Sequence, residues 1–131
     1  MSITTAPAPR DHELASGIWD ENTASVQYRV VKRTGDKITY ADSSSDLPCG
    51  VLELSKAVKG ENVPYIPIQG KLVNFTVSGA TAVGFVEADT DGKVKAYSAG
   101  AGKYACGYIY KAGSADGDVV IGVWLGPVQY S

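Results

Sequence analysis

Apolar and polar residues alternate along most of this chain in short runs separated by turn residues, and that rhythm predicts β-strands. Over residues 71–77, Leu72, Asn74 and Thr76 fall on one side and Val73, Phe75 and Val77 on the other. Successive strand side chains point to opposite faces, so the second set is the core candidate. Val26, Tyr28 and Val30 alternate with Gln27, Arg29 and Val31, which predicts a half-buried strand starting at Ser25. Thr34-Gly35-Asp36-Lys37 is a turn signal, Ile38-Thr39-Tyr40 resumes the strand pattern, and the polar loop 42–46 runs up to Pro48. Residues 50–54, 82–88, 94–97, 104–110 and 119–125 read as further strands. Thr90-Asp91-Gly92-Lys93 is a hairpin signal, and residues 59–62 make a turn. Residues 63–68 hold Pro64 and Pro67, which cannot donate to a ladder, so this strand belongs at an edge or a bulge.

One segment recurs. Cys49-Gly50-Val51-Leu52-Glu53 leads to Gly60, then Val63, Tyr65, Ile66 and Ile68, and closes at Gly70. Cys106-Gly107-Tyr108-Ile109-Tyr110 leads to Gly117, then Val119 to Leu125, and closes at Gly126. The step from cysteine to middle glycine is 11 residues in both copies, and Lys37-Ile38 and Lys93-Val94 precede them at nearly matching distances. Two strand–loop–strand copies in 131 residues predict one all-β, barrel-like domain over 25–131.

Residues 1–24 depart from this pattern. Ser2-Ile3-Thr4-Thr5-Ala6-Pro7-Ala8-Pro9 is small and proline-bearing, the composition of an extended arm that orders on contact. Leu14 and Ile18 stand four apart, compatible with a short helical turn that Gly17 weakens. Trp19 either packs back on the domain or anchors the arm to a partner.

Composition narrows the function. The net charge is -2 with mixed signs, unlike the clustered basic surface that nucleic acid requires. No run reaches 18 apolar residues, so no membrane span is expected, and the N-terminus lacks a secretory pattern, which implies synthesis in a cytoplasm. Cys49 and Cys106 begin equivalent strands and are expected as buried, reduced thiols. Gly 15, two Phe, eight Tyr and two Trp make a core thin in large side chains, with aromatic area suited to interfaces.

Chemical motifs are weak. Asp89-Thr90-Asp91-Gly92 and Asp116-Gly117-Asp118 lack the twelve-residue frame and closing glutamate of a calcium loop. Gly100-Ala101-Gly102-Lys103 lacks the glycine frame of a phosphate loop. The single histidine, His12, lies in the arm, so Ser-His-Asp or Cys-His devices are not expected. The chain is therefore expected to be no enzyme and to use no cofactor, metal or small-molecule substrate. On the last strand, Val119, Ile121 and Val123 lie on one face and Val120 and Leu125 off it; Tyr108 and Tyr110 share a face with Cys106. One apolar face covers the core and the other needs a cover of its own.

The paired Cys-Gly, Gly-x-x-Val and closing-glycine pattern between glycine-rich strands resembles the tailed-phage capsid decoration (auxiliary head) proteins, those related to the lambda head decoration protein included. The likeness covers roughly residues 25–126. It implies a β-tulip-like domain with an extended N-terminal arm, acting as a structural virion protein. Such proteins form homotrimers on the exterior of the expanded head, bind the major capsid protein and stabilise the shell. The arm contacts would fall on Thr4, Thr5, Ala6, Pro7, Ala8, Pro9, Leu14 and Trp19, and the trimer interface on Tyr108, Tyr110 and Trp124. The alternative is a minor tail or baseplate module, or a carbohydrate-binding virion domain with an aromatic shelf of Tyr97, Tyr104 and Tyr110.

Overall fold

Strands form where alternation and β-branched residues coincide. A computed structural model describes residues 14–129. Along them run β1 (Ala15–Trp19), β2 (Ala24–Ser25), β3 (Val30–Thr34), β4 (Lys37–Tyr40), β5 (Pro48–Val51), β6 (Lys56–Ala57) and β7 (Asn62–Tyr65). Then follow β8 (Leu72–Thr76), β9 (Gly84–Ala88), a 3-10 turn at Thr90–Gly92, β10 (Val94–Ala96), β11 (Ala105–Ile109) and β12 (Val119–Val128). The class is all-β. The alternation in β8 holds, with Val73, Phe75 and Val77 buried. The proline-bearing β7 is an edge strand, with Pro64 turned to solvent.

Two five-stranded sheets, ordered β5-β3-β4-β1-β7 and β10-β9-β11-β12-β8, carry the fold; β2 and β6 form a small ribbon. The duplication reaches beyond the segment visible in the sequence. In the first sheet Val30 pairs with Val51 and Val31 with Gly50; in the second Phe85 pairs with Tyr108 and Val86 with Gly107. Val51 then meets Ile66 as Tyr108 meets Val123. β1 and β8 pair with β7 and β12, and each comes round to meet, in parallel, the residue after the matching Lys: Trp19 opposite Ile38, Val77 opposite Val94. Each sheet thus curls nearly into a ring. A single bridge spans each seam, Val51–Ile66 in one and Val77–Val94 in the other. The sheets are not closed into a barrel, which corrects the barrel-like expectation.

Each curl has an interior. Trp19, Val31, Ile38, Val63 and Tyr65 fill the first, with Val26, Leu52 and Ala57 at the ribbon. Val73, Phe75, Val77, Val86, Cys106, Ile109, Val120 and Trp124 fill the second. Val30, Ala41, Val51 and Ile66 join this second cluster. Val30 and Val31 are successive strand residues, so they point opposite ways. The outer row of the first sheet therefore seats on the second unit.

Three local expectations change. Residues 15–19, placed in the arm with a possible helical turn, form β1 and pair with β4 and β7. Gly17 is the physical reason: a methyl there would lie 2.5 Å from Ile38 Cγ1, so the residue that weakens a helix is what lets β1 approach β4. The fold accordingly begins inside the segment read as an arm. Arg33 clamps the start of that strand, donating from Nη1 to the Ser16 carbonyl at 2.6 Å and from Nε to the Gly35 carbonyl at 2.7 Å. Second, the strand expected from Ser25 is broken. Tyr28 sits at φ 62°, a left-handed conformation that reverses the chain before β3. Third, residues 55–58, whose sequence is compatible with one helical turn, instead place 56–57 in a ribbon with 24–25.

Candidate interaction surface

The outer side of the second sheet carries an apolar row four strands wide. Phe85 on β9 is opposite Tyr108 on β11, Tyr108 opposite Val123 on β12, and Val123 opposite Leu72 on β8. Directly opposite residues share a face. A second row adds Tyr110, whose N–H donates to the Ile121 carbonyl at 2.9 Å, then Ile121 and Asn74. Leu72 is 61% exposed, Tyr110 55% and Ile121 46%. The aromatics brace one another. Phe85 and Tyr108 meet edge to face at 5.0 Å between centroids, and Tyr108 and Tyr110 lie 5.4 Å apart, close enough for favourable quadrupole contacts.

A bulge between Ala105 and Gly107 sets which aromatics face out. An extra residue on one strand flips the alternation. Cys106 therefore enters the core while Tyr108 stands outside, which corrects the expectation that they share a face. Leu125, half-buried, keeps the alternation of Val119, Ile121 and Val123 and belongs with them.

The residues expected at contacts divide. Tyr108 and Tyr110 lie on the outer face of the second sheet. Trp124 does not: it is buried, donating from Nε1 to the Pro67 carbonyl at 3.1 Å, so it is a core residue and no interface residue. Trp19 is likewise buried, its Nε1–H on the Asn22 carbonyl at 3.2 Å and its ring edge-on to Tyr40; it packs on its own domain and does not anchor an arm. Leu14, the first described residue, is 44% exposed beside β1. Thr4, Thr5, Ala6, Pro7, Ala8 and Pro9 lie outside the described residues, as does His12. Of the alternative's shelf, Tyr97 and Tyr104 are half-buried; the Tyr104 N–H donates to the Ser44 carbonyl at 2.7 Å. Phe85 and Leu72 are members of the face that the sequence reading did not assign. Only cross-strand register, invisible in one sequence, joins them.

Several carboxylates are engaged in structural bonds. Asp118 accepts from the Ser114 N–H and hydroxyl at 2.9 Å and from the Ala115 N–H at 3.0 Å, and these bonds lower its pKa. Asp116 pairs with Lys93 at 2.8 Å, and Asp89 accepts from the Ser78 hydroxyl at 2.7 Å. Glu87, buried at one end of the outer face, accepts from the Ser98 N–H at 2.8 Å. Burial pushes the Cys106 thiol up to about 12 and the Cys49 thiol up to about 11, so both stay protonated near neutrality and are poor nucleophiles. Both are free, Cys106 buried and Cys49 half-buried. Among the described residues no group of three His, Cys, Asp or Glu is placed to hold a metal ion, and no helix is long and apolar enough to cross a membrane.

The molecule is thus a duplicated, two-sheet β module with an aromatic outer face. No family model and no curated protein matches the chain. Among solved structures it is similar to the N base of head fiber gp8.5 in bacteriophage phi29, with a TM-score of 0.64. The likeness covers 89% of this chain and 98% of that one at 15% sequence identity. At this identity the shared property is the fold alone. The resemblance read from the repeated glycine pattern points to the same class of proteins.

Proposed function

We propose that this chain is a structural protein of a phage head, a decoration protein that binds the outside of the expanded shell and stabilises it. The observation that carries this reading is the duplicated fold, shared over nearly its whole length with a head fiber base. The exposed aromatic face and the structural use of the carboxylates support a role in assembly. The mechanism is mechanical. Homotrimers bridge neighbouring major capsid subunits and add interfacial area that must be lost before the shell opens. Several weak contacts held in one rigid assembly act together, so the gain exceeds any single contact. The N-terminal segment, with Ala6-Pro7-Ala8-Pro9, supplies the contact to the shell.

Co-sedimentation with empty expanded heads of the encoding phage tests this. The full chain is expected to pellet with the heads. A chain lacking residues 2–13, which leaves β1 and Trp19 intact, is expected to keep its circular dichroism spectrum and lose most binding. Failure of the full chain to bind would reject the head role. Undiminished binding by the truncated chain would move the shell contact onto the folded domain.

A further inference from the structure

The N-terminal segment leads into β1, and bonds leave β1 on both edges. On the β4 side the Ile18 N–H donates to the Asp36 carbonyl at 2.7 Å and the Asp20 N–H to the Ile38 carbonyl at 2.9 Å. On the β7 side the Trp19 N–H donates to the Glu61 carbonyl at 2.9 Å, and the Trp19 carbonyl accepts from the Gly60 N–H at 2.8 Å. Ladder bonds run across the strand direction. Pull along β1 therefore shears both ladders together instead of peeling one bond at a time. Trp19, at the inner end of the strand, is fully buried, so β1 cannot slide without withdrawing its ring.

Arg33 ties the other end. It shares a strand face with Val31, whose side chain lies in the first interior. Its Nη1 donates to the Ser16 carbonyl on β1 at 2.6 Å and to the Tyr65 hydroxyl on β7 at 3.1 Å. Its Nε donates to the Gly35 carbonyl, in the turn between β3 and β4, at 2.7 Å. One guanidinium thus joins β1 and β7 to the β3–β4 hairpin, through a planar fork that lysine lacks. The duplication supplies a comparison within the chain. β8 corresponds to β1, and Ala88 holds the place of Arg33: Arg33 is opposite Ile38 as Ala88 is opposite Val94. Alanine cannot make such a tie. The tie is present in the copy that the N-terminal segment enters.

We infer that β1 and Arg33 form a tension clamp, the place where pull on residues 1–13 passes into the folded domain. This rests on the reading that the segment meets the shell, and it deepens that reading by naming what resists when shell subunits move apart.

Single-molecule pulling tests it. The full chain is held at its N-terminus and at a thiol handle on Ile121→Cys, an exposed position of the second sheet. The two native thiols stay protonated near neutrality and react slowly. At a fixed load Arg33→Ala is expected to open about tenfold faster, the effect of losing one hydrogen bond from a charged donor. Lys32→Ala, at the adjacent residue, which pairs with Asp46 at 3.3 Å, is the control and is expected to open at the unaltered rate. Moving the first handle from the N-terminus to Leu47→Cys, on an exposed loop, is expected to abolish the effect of Arg33→Ala. Faster opening in both geometries is what general destabilisation would give, and it would overturn the inference. Equal rates with and without Arg33 under pull from the N-terminus would overturn it too. Arg33→Lys, charged but without the fork, gives a second reading if Arg33→Ala does not fold. Heads of the encoding phage are expected to bind Arg33→Ala as well as the unaltered chain but to open at a lower temperature. Heads equally stable with either chain would overturn the clamp and leave the head role intact. A clamp that behaves as expected in a chain that binds no head would be upheld, and the head role rejected.

Discussion

Replacing Trp124 with alanine is expected to cost about 3–5 kcal/mol of folding stability, the range for truncating a large buried aromatic. Trp124 is 1% exposed and packs in the interior of the second sheet with Phe75, Cys106 and Ile109. Its partner across the ladder is Gly107, which has no side chain to fill the space that removal leaves. The truncation also leaves the Pro67 carbonyl without the indole donor at 3.1 Å. Domains of this size are stable by about 5–15 kcal/mol in total, so the variant should lie near or beyond the edge of folding. Urea unfolding followed by far-ultraviolet circular dichroism measures it. A loss below about 1 kcal/mol with an unchanged denaturant slope would contradict the placement of Trp124 in the core. A charge at this position would report on folding and not on subunit contacts.

Gly107→Ala should be nearly as damaging, at about 3 kcal/mol, the upper end of ordinary overpacking. A methyl on Gly107 would lie 2.5 Å from Phe75 Cζ and 2.8 Å from the Val123 carbonyl oxygen. Neither neighbour can give way easily. Phe75 is fully buried, and the Val123 carbonyl belongs to a strand paired on both sides. Gly50, the same position in the first copy, is pressed in the same way by the Tyr65 ring and by the Ile66 carbonyl oxygen at 2.5 Å. The recurring Cys-Gly pair is therefore kept by its glycine: each curl lays an aromatic ring against the backbone at that point. Gly79→Ala is the comparison, since nothing lies within 4 Å of a methyl there and its φ is not positive. Equal thermal stability of the two variants would contradict this account.

What the sequence disclosed follows from how local each feature is. The burial of Val73, Phe75 and Val77 and the edge position of Pro64 need only strand alternation and a missing N–H, so both were readable. The repeat was readable at its glycines, because close approach and tight turns exclude side chains there. Its full extent was not: β1 matches β8 and β3 matches β9 by pairing alone, without a shared residue pattern. Leu14 and Ile18 had helical spacing, yet the segment became a strand because Gly17 fits against Ile38 from a distant part of the chain. Tyr28 at positive φ gave no local warning, since no glycine or asparagine marked it. The two faces of β12 were visibly apolar, but the bulge at Cys106 decided which aromatic neighbours joined the outer one. Phe85 and Leu72 come from strands on either side of that pair and enter the face only through register.

The central claim is that this fold sits on a phage head as part of its structure. Electron cryomicroscopy of heads from the encoding phage, compared with heads from a phage lacking this chain, tests it most directly. The expected difference is density on the outside of the shell, at its three-fold positions, that accepts the two curled sheets of residues 14–129. Identical maps from the two kinds of head, or density for the chain on the tail instead, would contradict it.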